Sequence, residues 1–311
     1  MSQTLRSFFV ACVCLLAWAS LAAPLPTVVP GFQVELLHTV PPGGDSWVCM
    51  TSDPKGRLII SPEGPGGYLT QVTLSPQGQV VEMKKIDRPV GSAMGLAFAF
   101  SGLYVDGDGI KGFGVYRLPY DPQSDQYGSP VLITRLRGYP PHEHGAHGIV
   151  QGADDRLYIV GGDLVQPPEN LSGTSPLRNY GIDQLLRPDN DPNGVGAGAV
   201  PPEGFVLRVG PNGENPELFC GGLRNVYAIA FNADGELFGF DNDDEADWGL
   251  PWYRPNALYH LVSGADYGYR QGTAKWPHDF PDSWPDLVET GLGCPTGLKF
   301  GGRSNFPGKY K

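Results

Sequence analysis

Positive charge is in short supply in this 311-residue chain, with 22 Lys and Arg against 33 Asp and Glu and a formal net charge of −11. Nucleic-acid binding needs Lys and Arg to neutralise phosphates, so the balance argues against such a partner. It suits an exported protein that meets cations. Cysteine is also sparse, five residues in all. Cys12 and Cys14 lie in an N-terminal apolar stretch, and the remaining Cys49, Cys220 and Cys294 can close at most one disulfide. There is no Cys-x-x-Cys-His, hence no c-type haem attachment motif. No apolar run approaches the about twenty residues of a spanning helix. The hydrolase motifs G-x-S-x-G and H-E-x-x-H are missing as well.

Glycine and proline are abundant, 44 and 31 residues. Helix interiors tolerate them poorly, at about 1 kcal/mol for Gly and about 3 for Pro. With 41% hydrophobic and 11% aromatic residues there is still ample core. Together these features predict a turn-rich, all-β fold. The front of the chain has a different character. A short polar segment with Arg6 precedes the apolar run Phe8 to Trp18, and Ala19-Ser-Leu-Ala-Ala23 then leads into Pro24. This is the layout of a signal peptide over residues 1–23, which predicts export to the periplasm or beyond.

A phrase recurs along residues 24–311. Asp53-Pro-Lys-Gly-Arg-Leu-Ile-Ile60, Ala99-Phe-Ser-Gly-Leu-Tyr-Val105, Asp154-Asp-Arg-Leu-Tyr-Ile-Val160 and Asp234-Gly-Glu-Leu-Phe-Gly-Phe240 each put a turn before an alternating strand. Each reads as a hairpin. Leu58, Leu103 and Leu157 are spaced by about 45 to 54 residues, near the period of a four-stranded propeller blade. The next step, to Leu237, is longer and contains residues 164–200, read as an inserted loop. The expectation is a β-propeller of the six-bladed type with about five blades present, hence an incomplete domain. A β-sandwich is the competing architecture.

Two clusters of polar residues stand out. Asp241-Asn-Asp-Asp-Glu-Ala-Asp247 sets carboxylates side by side, and hard oxygen ligands select calcium, so Asp241, Asp243, Asp244 and Glu245 are candidate ligands. A solvated acidic loop is the alternative. His142, Glu143, His144 and His147 could hold a transition metal, supply a base, or hydrogen-bond turns.

His144-Gly-Ala-His-Gly-Ile-Val-Gln-Gly-Ala-Asp-Asp-Arg-Leu-Tyr-Ile-Val-Gly-Gly-Asp163 resembles the signature of the soluble quinoprotein glucose/sorbosone dehydrogenases. Leu223-Arg-Asn225 resembles the family's G-x-R-N motif. The resemblance runs from about Gly31 to the end of the chain. It is closest to propeller domains of planctomycete-type, haem-binding multidomain proteins, which match the run from Asp241 through Trp252-Tyr-Arg-Pro255, Gly264-Ala-Asp-Tyr-Gly-Tyr269 and Cys294-Pro-Thr-Gly-Leu298.

The resemblance implies oxidation of a sugar hydroxyl or aldehyde hydrate by pyrroloquinoline quinone, with calcium as the Lewis acid and a cytochrome c or haem domain taking electrons. His144 would be the base, and Asp163 would orient it or touch substrate. Arg224 would pair with a cofactor carboxylate and Asn225 would hydrogen-bond the quinone. The pair Arg224-Asn225 could equally brace adjacent blades. The chain departs from the family at Asp241-Asn242, where active dehydrogenases carry His-Gly. That departure keeps a second function class open, a non-catalytic propeller that binds carbohydrate or protein.

Overall fold

The computed structural model describes residues 26–62, 64, 66–138, 144–181, 199–242, 254–271, 275–277 and 279–310. The expected signal peptide, the histidine-flanking His142 and Glu143, part of the expected insertion (182–198) and the run 243–253 lie outside them. Val40–Lys311 forms one compact unit and Met1–Thr39 another. In the second of these, the described residues carry no strand or helix.

Among the described residues of Val40–Lys311 there is no α-helix, only strands and two short 3-10 turns. The first sheet is β1 (Trp47–Ser52), β2 (Leu58–Pro62), β3 (Thr70–Leu74) and β4 (Val80–Lys85), antiparallel in that order. The second comprises β5 (Val90–Ala99), β6 (Gly102–Gly109), β7 (Gly112–Asp121), the short β8 (Gln126–Tyr127) and β9 (Val131–Arg135), with both β8 and β9 on β7. A small pair follows, β10 (Arg137–Gly138) against β13 (Val165–Gln166). The third sheet is β11 (Ala146–Gln151), β12 (Leu157–Gly161), β14 (Gly204–Val209) and β15 (Glu217–Leu223). The fourth is β16 (Ile229–Phe231), β17 (Leu237–Asp241), β18 (Asn256–Leu261) and β19 (Val288–Gly291).

These antiparallel meanders, three of four strands and one of five, are propeller blades. Four are seen among the described residues, against about five expected from the repeat spacing. In sequence, the connections 162–203 and 262–287 lengthen the third and fourth blades. The insertion joins the second and third strands of the third blade.

Each repeated phrase is the first hairpin of a blade, closed by local chemistry. Asp53 Oδ1 accepts the backbone N–H of Lys55 and of Arg57, both at 2.9 Å. Asn232 Oδ1 does the same for Asp234 and Glu236, at 3.0 and 2.9 Å. Such side-chain closures make Asp and Asn turn formers. The second blade instead turns on Phe100 and Ser101, both left-handed at φ 46° and 54°, as a two-residue hairpin requires.

A blade lies between two others, so its strands are apolar on both faces rather than one. In β12, Leu157 and Ile159 join the cluster shared with the second blade, through Tyr104 and Val115. Tyr158 and Val160 join the cluster shared with the fourth, through Ile229, Leu237 and Tyr259. Leu103 and Val105 of β6 pack towards the first blade with Ile59 and Leu69. At about 25 cal/mol per Å² of buried apolar area, these interblade clusters dominate the folding energy.

Candidate functional site

The β11–β12 register creates the site. Ala146 pairs with Gly161, and Gly162 N–H donates to the Gly145 carbonyl at 2.7 Å. One step further out, His144 and Asp163 stand opposite each other. His144 Nδ1 and Asp163 Oδ1 are 2.6 Å apart. Facing an ionised carboxylate, Nδ1 is the donor, and in the neutral ring this tautomer makes Nε2 the acceptor. Gly162 is required between them. A Cβ there would stand 2.5 Å from the His144 carbonyl oxygen and 2.8 Å from Asn225 Oδ1.

The third and fourth blades are tied at the same place. Asp163 N–H donates to the Arg224 carbonyl at 2.9 Å. Arg224 and Asn225 in turn donate their own N–H groups to Asp241 Oδ2 and Oδ1, at 2.8 and 2.7 Å. Asn242 N–H adds a third bond to Asp241 Oδ1 at 3.0 Å, and its Nδ2 donates to the Asn225 carbonyl at 3.1 Å. Burial raises the Asp241 pKa, and these three N–H donors with the Arg224 charge pull it back.

The five described residues singled out in the sequence therefore converge. His144 with Asp163 and Arg224-Asn225 with Asp241 meet through one carbonyl. Asp243, Asp244 and Glu245 lie outside the described residues. Among those described, no three His, Cys, Asp or Glu side chains are grouped to hold a metal ion. His147 has a different role from His144. It is fully buried, its Nε2 lies 2.9 Å from Asn225 Oδ1, and its ring stacks on Tyr227 at 4.1 Å. Cys49, Cys220 and Cys294 form no disulfide.

Two buried acids escaped the sequence reading. Glu203, 2% exposed, lies immediately before β14. Burial first, and then the Asp163 charge, push its carboxyl up to about 8. Asp106 on β6 is fully buried, and neither oxygen meets a hydrogen-bond partner among the described residues. Burial, then the Asp108 charge, raises its pKa well above the usual carboxylate range. Asp106 continues the alternation of Leu103-Tyr-Val-Asp106, and a charge at an inward strand position is the signal that could have found it. Glu203 carries no such pattern.

No protein-family model and no curated protein sequence matches the chain. Solved structures do match in fold. The PQQ-bound form of aldose sugar dehydrogenase from Streptomyces coelicolor aligns at 18% identity with a TM-score of 0.53, over 83% of this chain and 71% of that one. An oxidoreductase (glucose dehydrogenase) from Thermus thermophilus aligns at 19% and 0.54, over 81% and 72%. The calcium structure of a Trichoderma reesei family AA12 carbohydrate-active enzyme aligns at 16% and 0.51, over 83% and 64%. The chain is thus a β-propeller of the fold that these three structures share. No helix among the described residues is long and apolar enough to cross a membrane.

Proposed function

We propose that the chain is an exported sugar or aldehyde dehydrogenase working with pyrroloquinoline quinone and calcium, with His144 as its base. The observation that carries this reading is the 2.6 Å bond from His144 Nδ1 to Asp163, which leaves Nε2 free of its proton for a substrate hydroxyl. The quinone-bound aldose sugar dehydrogenase and the calcium structure among the fold neighbours support the choice of cofactor and ion.

Arg224 is buried where the third and fourth blades meet, and a planar guanidinium is shaped to pair with a carboxylate. Arg224 would hold one quinone carboxylate. Asn225 Oδ1 is turned to His147, so a hydrogen bond to a quinone carbonyl would come from its Nδ2 group. Asp241, whose Oδ1 and Oδ2 hold the backbone of the third-to-fourth blade turn, would contribute to the ion site with Asp243, Asp244 and Glu245. The bound quinone supplies the hydride acceptor. His144 takes the hydroxyl proton at Nε2, and Asp163 fixes the tautomer and stabilises the imidazolium that forms. Residues 1–23 direct export to the periplasm or outside the cell, and a cytochrome c or haem domain is the electron acceptor.

Dye-linked oxidation of aldoses and aldehydes by the quinone- and calcium-loaded protein tests the reading. Activity is expected in the wild type, with a drop of about 10²-fold or more in His144→Ala. Equal turnover in the two proteins removes His144 from the chemistry. No turnover in either, with quinone bound, favours a carbohydrate- or protein-binding propeller.

A further inference from the structure

Between the first and second blades lies a cavity of about 560 Å³ that the proposed chemistry leaves unused. Small-molecule sites occupy about 300–1,000 Å³. One wall is backbone against backbone. A Cβ on Gly91 of β5 would stand 1.7 Å from the Gly67 carbonyl oxygen. Ser92 beside it is left-handed, at φ 50°, and its Oγ donates to the Gly64 carbonyl at 2.7 Å. The two blades are thus fixed to each other where the cavity forms.

The cavity lies at the same end of its blade as the His144–Asp163 pair. Gly91 pairs with Asp108 at the start of β5 and the end of β6, whereas His144 and Asp163 lie just beyond the start of β11 and the end of β12. The two first strands touch, since a Cβ on Gly95 of β5 would stand 1.7 Å from the His147 carbonyl oxygen of β11.

Four charged side chains line the cavity, Lys85, Asp87, Arg88 and Asp108. None of them pairs with an opposite charge among the described residues. Arg88 instead donates to the backbone carbonyls of Asp87, Tyr127 and Gly128, at 2.6, 2.7 and 3.1 Å. Lys85 Nζ lies 4.3 Å over the centre of the Tyr68 ring. The mixed signs select the ligand. A phosphate would meet Asp87 and Asp108, and a metal ion would meet Lys85 and Arg88, each at a cost in repulsion. A neutral polyol gives its hydroxyl protons to the carboxylates and its oxygens to the cations, and meets no like charge. The rim carries Tyr68, 46% exposed, and Ile110, 78% exposed. An aromatic with an apolar body and a polar tip suits the C–H face of a sugar ring.

We propose that this cavity is a second carbohydrate site, which takes a neutral sugar unit of an oligosaccharide whose oxidised end lies at His144. Sugar binding stands on the cavity alone, whereas the oligosaccharide as substrate rests on the dehydrogenase reading.

The test is isothermal titration of the quinone-free full chain with glucose, maltotetraose, cellotetraose and mannotetraose. At least one tetraose is expected to bind about tenfold or more tightly than glucose. Tyr68→Ala should weaken that binding about tenfold at an unchanged thermal midpoint, and Tyr68→Phe, which keeps the ring, should retain it. A second readout needs no variant. The bound tetraose should slow acetylation of Lys85, followed by mass spectrometry, and leave the neighbouring exposed Lys84 unaffected. The proposal is overturned by a failure of all three tetraoses to bind, by Lys85 acetylation that ignores them, or by tighter binding of inorganic phosphate. In the quinone-loaded protein, the ratio of kcat/KM for the tetraose to that for glucose should fall about tenfold in Tyr68→Ala. An absence of turnover removes the dehydrogenase reading and leaves the binding result standing.

Discussion

Asp106 and Asp241 sit on corresponding elements, each on the second strand of its blade and each buried, yet they live in opposite surroundings. Asp241 receives three backbone N–H groups from Arg224, Asn225 and Asn242. Asp106 receives none among the described residues, and Gly95 stands against it. A Cβ on Gly95 would come within 3.4 Å of its own Cβ while colliding with the His147 carbonyl. Burial raises both pKa values, but only for Asp241 do donors pull the shift back. Burial alone therefore makes an acid neutral, whereas burial with donors makes it a clamp that fixes the chain around it. The site at the third and fourth blades uses the second device to hold Arg224 and Asn225. It uses the first at Glu203.

The sharpest way to break the comparison is Asp241→Ala. It leaves three buried N–H groups without their acceptor, each costing about 1–3 kcal/mol. A loss of several kcal/mol in urea denaturation is expected, together with loss of the His144–Asp163 alignment that hangs from the Arg224 carbonyl.

A smaller and opposite effect is expected at Asp106. Its folded pKa lies above the unfolded one, so the native state holds the extra proton and stability declines as pH rises above the unfolded value of 3.8. Asp106→Asn mimics the neutral acid. The variant should match the wild type at low pH and exceed it at neutral pH, by about 1.4 kcal/mol for each pH unit of the shift that is traversed. Equal stabilities across the range would show that Asp106 has donors after all.

The smallest effect distinguishes interior from rim. Cys49 and Cys220 have thiols pushed up chiefly by burial, whereas Cys294 is exposed. A thiol reagent should label Cys294 in the native protein, and Cys49 and Cys220 only on unfolding. Rapid native labelling of Cys220 would contradict the packing between the third and fourth blades.

What could be read from the sequence follows from range. The hairpins were legible because Asp53 and Asn232 close their turns with their own side chains, within four residues. His144 and Asp163 were legible because they flank one hairpin, where strand pairing converts a sequence interval into a contact. Arg224 and Asn225 were recognised as a motif, yet their backbone bonds to Asp241 needed the structure. Glu203 was invisible because its surroundings come from Asp163 before it and from Gln271, Arg270 and Lys275 far after it. The blade number is not fixed by the repeat spacing, because a period counted in residues does not distinguish a blade from a long connection.

The most direct test of the proposed function is an equilibrium titration of pyrroloquinoline quinone into the calcium-containing protein and into Arg224→Ala, followed by quinone absorbance. Saturable binding at one site, weakened about tenfold or more in the variant, is the predicted result. An absence of saturable binding to the wild type would contradict it.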